Sequence, residues 1–282
     1  MWNKESLKEF IRTALAEDVG PGDYTTLASI PFTATGKAVL KVKDHGVLAG
    51  MEVAEEIFRF IEPEIGFSPK MQDGARMSPG DEAFLVEGLV HTLLKGERLV
   101  LNCMQRMSGI ATLTSRYHER LEGYKTRLLD TRKTTPNFRL LEKEAVRIGG
   151  GMNHRMGLYD MIMLKDNHID FCGGITRAVK KVEEYLSSHG LELPVEVEAR
   201  NLQDVQEILS LESVNRIMLD NFTPEEAQEA VRLIAGRFET EASGGITLDT
   251  VASYAEAGVD FISAGAVIHH AVSLDLSLKA VF

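Results

Sequence analysis

The sequence predicts an α/β fold: an irregular, incomplete β/α barrel preceded by a small α+β domain. Three observations carry that expectation. From Thr126 onward, six short apolar runs alternate with helical patterns, as right-handed βαβ units around a parallel sheet do. Each run ends in reactive or flexible residues, which a β/α barrel would gather around one pocket at the C-terminal ends of its strands. Before Thr92 that alternation is absent, and short helices and strands are mixed.

Taken in order, the first helix is signalled by Ser6 and Glu9 at capping-box spacing, followed by Leu7, Phe10, Ile11, Ala14 and Leu15 on one helical face. After the turn-rich VGPGD of residues 19–23 come strand-like pieces at 38–42 and 47–48, a helix near 53–61 and a strand near 82–87. A long helical region covers 92–121, with a break expected at Ser108-Gly109. Strands then fall at 126–129, 161–164, 194–197, 216–219, 238–242 and 260–263, with helical patterns at 202–209, 224–234 and 248–257. Six strands fall short of eight, hence an incomplete barrel; an open doubly wound sheet would spread the polar strand ends along an edge instead.

Composition narrows the function. The chain carries a formal charge of −11, against a general nucleic-acid or membrane-surface binder, both of which need an extended basic face. No run approaches the ~18 apolar residues of a membrane span, and MWNKESLKEF lacks the apolar core of a signal peptide. Cys103 and Cys172 stand far apart, giving neither a disulfide framework nor a thiolate zinc site, so a reducing cytoplasm is the expected compartment. Against this acidic background, residues 131–165 hold seven basic side chains and three acidic ones. That excess predicts a local anion site.

Its candidates are Arg132, Lys133, Arg155 and Lys165, with His154. Arginine offers a planar fork for carboxylate or phosphate, and lysine a point charge. A surface ion pair is the bland alternative for each basic residue, and His154 taken singly reads as a structural histidine. Ser243-Gly244-Gly245 and Ser263-Ala264-Gly265 follow the last two strands, where barrels often bind phosphate with loop amides; glycine also suits a plain tight turn there. Glu198 and Asp220 end successive strands and can share a magnesium ion, or else neutralise Lys165 and Lys133 without metal.

The motifs together resemble the quinolinate phosphoribosyltransferase family. They are DTRKTTP at 130–136, GGGMNHRMGLYD at 149–160, LKDNHI at 164–169, VEVEA at 195–199, LDNF at 219–222 and SGGI at 243–246, with EDVGPGDYTT at 17–26 and LNCMQRMSGIAT at 101–112. The resemblance implies transfer of phosphoribose from phosphoribosyl pyrophosphate to the ring nitrogen of quinolinate, with Mg2+ as cofactor, giving nicotinate mononucleotide, pyrophosphate and carbon dioxide. It implies an N-terminal α/β sandwich domain at 1–108, joined by the tail 270–282, and a barrel at 109–269. It also implies a homodimer whose active site borrows an arginine, matched here by Arg106.

On that reading Arg106, Thr131, Arg132, His154, Arg155 and Lys165 bind quinolinate, Lys133 serves the pyrophosphate, and Ser243 to Gly245 and Ser263 to Gly265 hold the ribose phosphate. Glu198 and Asp220 position magnesium and the ribose hydroxyls. One departure is visible: Asn137-Phe138 stand where the family usually has glycine and leucine, and asparagine tolerates a left-handed backbone better than most residues. Two other readings remain: a paralogous phosphoribosyltransferase of molybdenum-locus type with another acceptor, and a non-catalytic metabolite-binding barrel.

Overall fold

The computed structural model describes residues 4–281; residues 1–3 and 282, inside the ranges assigned to the N-terminal domain and its tail, lie outside the described residues. In chain order the first elements are α1 Lys4–Val19, α2 Tyr24–Ser29, β1 Thr35–Val42, β2 Gly46–Val47, α3 Met51–Ile61, β3 Gly66–Pro69, β4 Arg76–Met77, β5 Glu82–Leu89 and α4 Val90–Arg120. Then follow β6 Arg127–Leu129, α5 Arg139–Ile148, β7 Ile162–Leu164, α6 Asp166–Cys172, α7 Ile175–His189 and β8 Val195–Ala199. The chain continues through α8 Leu202–Ile208, β9 Arg216–Asp220, α9 Pro224–Ile234, β10 Glu239–Ser243, α10 Val251–Glu256, β11 Phe261–Ser263, α11 Ala266–His269 and β12 Leu276–Val281.

Two compact units result. The first gathers Met1–Ser115, Thr134–Gly150 and Ile268–Phe282, and the second Arg116–Lys133 and Gly151–Val267. Residues 134–150, within the range expected for the barrel, therefore make their contacts in the first unit. Its main sheet is antiparallel in the order β12-β1-β5-β3, so the C-terminal tail adds an edge strand to β1. Phe58, Phe67 and Phe84 pack together beside this sheet, and α3 contributes Val53, Ala54, Ile57 and Phe58 to the core.

Two local expectations are corrected here. Helix α1 already includes Lys4, so Ser6 lies inside it and Ser6 with Glu9 does not form the entry cap; the apolar face holds, with Leu7 and Ile11 buried. Helix α4 runs unbroken through Ser108-Gly109. The small pair serves packing: the Ser108 hydroxyl accepts the Ala49 N–H at 3.0 Å, and a Cβ on Gly109 would collide with the Val272 carbonyl. A helical glycine here marks close backbone approach, which outweighs its low propensity.

The second unit is a six-stranded parallel sheet in the order β6-β11-β10-β9-β8-β7. Helices α7 to α10 are amphipathic connectors that bury Val179, Val205, Ile208, Ala230 and Val251. Helix α9 is opened by a capping box, Thr223 with Glu226, and by Pro224 in its first turn. Edge strands β6 and β7 are not joined by a ladder, so hydrogen bonds do not close the barrel. The loop after α5 fills part of that margin: Met152 makes an isolated parallel bridge to Leu129, donates to the Leu128 carbonyl and accepts from the Asp130 N–H. The fold is thus α/β with an incomplete barrel, as the strand count implied.

Candidate active site

Reading across the second unit's sheet, the strand ends present Thr131-Arg132-Lys133 after β6, Ser263-Ala264-Gly265 at β11, Ser243-Gly244-Gly245 at β10, Asp220 at β9, Glu198 at β8 and Lys165 after β7. Parallel strands in register bring these sequence-distant groups to one rim. Cations flank the sheet at both edge strands and carboxylates sit between.

The first edge is built around Asp130, which is fully buried. Its Oδ1 accepts the His154 backbone N–H at 2.9 Å and its Oδ2 the Asn153 side-chain amide at 2.6 Å. This carboxylate ties the GGGMNHR loop to the end of β6. Burial first, and then the Arg132 guanidinium, disfavour the charge on Arg155. Arg155 is half-buried and donates through Nη1 to the Met161 carbonyl at 3.2 Å. Arg132 and Lys133 are exposed, and the Thr131 hydroxyl accepts the Lys133 N–H, which shapes the turn. Like charges on one rim cost Coulomb energy that an anion bound between them would offset.

The opposite part of the rim holds the carboxylates. Burial and the Asp220 carboxylate push Glu198 up to about 6, while Lys165 acts in the other direction. Glu198 Oε2 also accepts the Asp166 N–H at 3.3 Å, and Asp220 Oδ2 accepts the Asn221 amide at 2.7 Å. An oxygen-only donor pair with mutual repulsion fits magnesium, which prefers a few carboxylates and retains waters. Lys165 stands exposed at the N-cap of α6, near Glu198.

The glycine loops differ from each other. Gly244 and Gly245 both have positive φ, 98° and 61°, and a Cβ on Gly244 would collide with the Asn221 side chain. Their conformation requires glycine, and it turns the backbone sharply at the rim. In the other loop the Ala264 N–H already donates to the Leu129 carbonyl at 3.0 Å, and Ser263 is buried. Ala264 therefore cannot offer its amide to phosphate while that sheet contact persists. Gly265, at the end of this loop, has the half-exposed position.

Two of the expected ligands make contacts within the chain. His154 is buried, and its Nε2 lies 3.0 Å from Glu196 Oε2 and 3.2 Å from Glu241 Oε2, with Arg216 Nη1 3.0 Å from the same Glu241 oxygen. Burial lowers the imidazole's affinity for a proton, but the two carboxylates prevail and push it up to about 9. Burial and Glu241 push Glu196 up to about 7. These three groups could in principle hold a metal ion, yet Arg216 already supplies the positive partner to Glu241. Arg106, in the first unit, donates through Nε and Nη2 to Glu142 Oε1, and through Nη1 and Nη2 to the Ala271 and Ile268 carbonyls.

Glu142, Glu196, Arg216 and Glu241 were not singled out from the sequence. The signal was present for one of them: Glu196 interrupts the apolar strand VEVEA. Glu196, two residues from Glu198, must face the same side of β8.

A parallel α/β barrel-like unit with cations, paired carboxylates and a glycine turn on one rim defines an enzyme that handles multiply anionic, phosphorylated substrates. Residues 23–108 match the quinolinate phosphoribosyl transferase N-terminal domain, and residues 110–279 its C-terminal domain. The chain is 47% identical to the chloroplastic nicotinate-nucleotide pyrophosphorylase [carboxylating] of Arabidopsis thaliana, over 97% of this chain and 82% of that protein. It is 42% identical to a probable nicotinate-nucleotide pyrophosphorylase [carboxylating] of Synechocystis, over 95% and 90%. The crystal structure of NadC from Streptococcus pyogenes superposes with a TM-score of 0.91 at 38% identity, covering 100% of this chain and 99% of that one. The chain belongs to the quinolinate phosphoribosyltransferase family.

Proposed function

We propose that the chain transfers phosphoribose from phosphoribosyl pyrophosphate to the ring nitrogen of quinolinate, releasing pyrophosphate and carbon dioxide and forming nicotinate mononucleotide for NAD synthesis. The observation that supports the acceptor is the tie through Asp130, which brings the loop carrying Arg155 to the end of β6, where Arg132 follows, since two guanidiniums on one rim suit two adjacent carboxylates. Thr131 shapes their loop through the Lys133 N–H. Lys165 adds a third cation, and Lys133 serves the pyrophosphate. A molybdenum-locus type paralogue with a one-carboxylate acceptor would need fewer basic groups, and a silent barrel would need none of them aligned with Glu198 and Asp220.

The ring nitrogen attacks C1 of the ribose as the bond from C1 to the pyrophosphate oxygen breaks. Positive charge develops on the ribose, and Glu198 and Asp220 stabilise it electrostatically. Once the nitrogen is quaternary it accepts the electron pair left when the adjacent carboxylate departs as carbon dioxide, and the ring carbon then takes a proton. No covalent enzyme intermediate is required; positioning and charge complementarity do the work. Ser243, Gly244 and Gly245 receive the ribose phosphate, with Ser263 and Gly265 completing that side. Glu198 and Asp220 are the residues that would hold magnesium, which when bound would supply charge neutralisation for the leaving pyrophosphate.

The cytoplasm is the proposed compartment: Cys103 and Cys172 are free thiols, and no helix among the described residues is long and apolar enough to cross a membrane. A homodimer is the proposed assembly, with Arg106 the residue assigned by resemblance to the neighbouring subunit's pocket. The test is to combine purified protein, quinolinate, phosphoribosyl pyrophosphate and magnesium, and to quantify nicotinate mononucleotide and carbon dioxide. Stoichiometric release of both products is expected; turnover of nicotinate but not quinolinate would overturn the reading.

A further inference from the structure

We propose that His154 is a positioning residue rather than a quinolinate ligand: clamped between Glu196 and Glu241, it fixes the loop that carries Arg155 at the end of β6. The proposal rests on the acceptor reading above. Every polar atom of His154 that could reach a substrate has a protein neighbour. Nε2 faces the carboxylates of Glu196 on β8 and Glu241 on β10, and Nδ1 accepts the Arg155 N–H at 2.7 Å. The backbone N–H donates to Asp130 at the end of β6. The residue thus bridges three strands and the next residue's backbone, while its side chain is only 5% exposed.

The network has its own closure on the far side. Arg216 on β9 reaches Glu241 through Nη1 and Glu239 through Nη2, and its guanidinium lies over the Phe261 ring at 4.0 Å from the centroid. Arg216 faces Glu241, and the Nε2 edge of the imidazole faces both Glu241 and Glu196, so the buried polar groups meet partners, the condition under which such groups persist in a protein interior. The consequence is mechanical: Arg155 hangs from a residue anchored to the sheet rather than from a free loop. Misplacement of a substrate-holding group by about 1 Å can cost on the order of a hundredfold in rate, so such anchoring has functional weight.

Carboxylates that never touch the substrate should then reproduce the defect of the histidine. His154→Gln and Glu241→Gln are each expected to raise the quinolinate KM roughly tenfold or more while leaving the phosphoribosyl pyrophosphate KM within about twofold, and the double variant should be no worse than either single one. Wild-type turnover of quinolinate in the same assay tests the acceptor reading separately. If Glu241→Gln leaves the quinolinate KM unchanged while His154→Gln raises it, the positioning role is overturned. A crystal structure of the wild-type protein with quinolinate needs no variant to fold. It should keep the Glu196 and Glu241 contacts, with every ligand oxygen beyond about 3.5 Å of His154 Nε2; a direct hydrogen bond there would also overturn the proposal.

Discussion

Arg106 and Glu142 meet through a single carboxylate oxygen: Nε lies 3.0 Å and Nη2 2.9 Å from Oε1. Glu142 is fully buried, and the same side chain accepts the Thr135 N–H at 2.7 Å and the Thr135 hydroxyl at 2.9 Å. One carboxylate therefore secures both a helix arginine and the TTP turn. Removing it in Glu142→Ala leaves a half-buried guanidinium and a backbone N–H without their acceptor. The expected loss is about 3–5 kcal/mol in urea unfolding, with Glu142→Gln intermediate because it keeps one acceptor oxygen. A loss below about 1 kcal/mol for the alanine variant would show that the pair is replaceable by water.

Asp130 plays the corresponding part in the second unit. Its two oxygens hold Asn153 and the His154 backbone, and no solvent reaches it. Asp130→Ala should cost about 3 kcal/mol, since hydrogen bonds to a charged group contribute about 1.5–3 kcal/mol each and do not add fully. Thermal melts would register the loss. Asp130→Asn should recover part of it through the remaining carbonyl oxygen.

The repulsion between Glu198 and Asp220 predicts a trade between stability and activity. The Asp220 carboxylate raises the energy of the charged form of Glu198, so Glu198→Gln should melt no lower than wild type, or somewhat higher, while its turnover collapses. Magnesium provides a second readout. Wild-type protein should gain melting temperature as magnesium is added, and the Glu198→Gln protein should gain little. Equal gains in both would remove this pair from the proposed metal site.

The buried histidine sets a pH dependence. Its folded-state value, about 9, lies above the ordinary 6.5, because Glu196 and Glu241 outweigh burial; the Arg155 N–H on Nδ1 works the other way by requiring that nitrogen unprotonated. A raised value means that the folded state holds the proton more tightly. The stabilisation is complete below about pH 6.5 and is lost as pH rises toward 9. Denaturant titrations from pH 6.5 to 9.5 should show a fall of a few kcal/mol that flattens in His154→Gln. A flat wild-type profile would mean that the ring is neutral throughout.

Much of this was legible because parallel strands are buried on both faces and end in polar residues. The runs before Lys133, Lys165, Glu198, Asp220 and Ser243 thus announced both sheet and rim. What a linear reading cannot supply is the direction of a side chain. His154 and Arg155 are adjacent, yet one turns to the carboxylates of the sheet and the other reaches the Met161 carbonyl. The acceptor of Arg106, Glu142, lies 36 positions away on α5, a pairing that sequence spacing does not show. Gly109 looked like a helix break because the carbonyl it accommodates comes from Val272.

The Asn137 substitution offers a contained test of local geometry. Thr135, Pro136, Asn137 and Phe138 form a turn in which the Phe138 N–H donates to the Thr135 carbonyl at 3.1 Å and Asn137 has φ 62°. Proline at the second position and a left-handed residue at the third are the requirements of a type II turn, and asparagine meets the second nearly as well as glycine. Phe138 then packs edge-on against Phe10 on α1 at 5.5 Å, so the turn also aims an aromatic contact. Asn137→Gly should change stability by less than about 0.5 kcal/mol, because relief of left-handed strain offsets the extra freedom of the unfolded chain. Asn137→Ala keeps a Cβ without the side-chain amide and should cost about 1 kcal/mol. If alanine were neutral and glycine destabilising, the turn would not be governed by the positive φ at Asn137, and the Phe10 to Phe138 contact would be the feature to vary next.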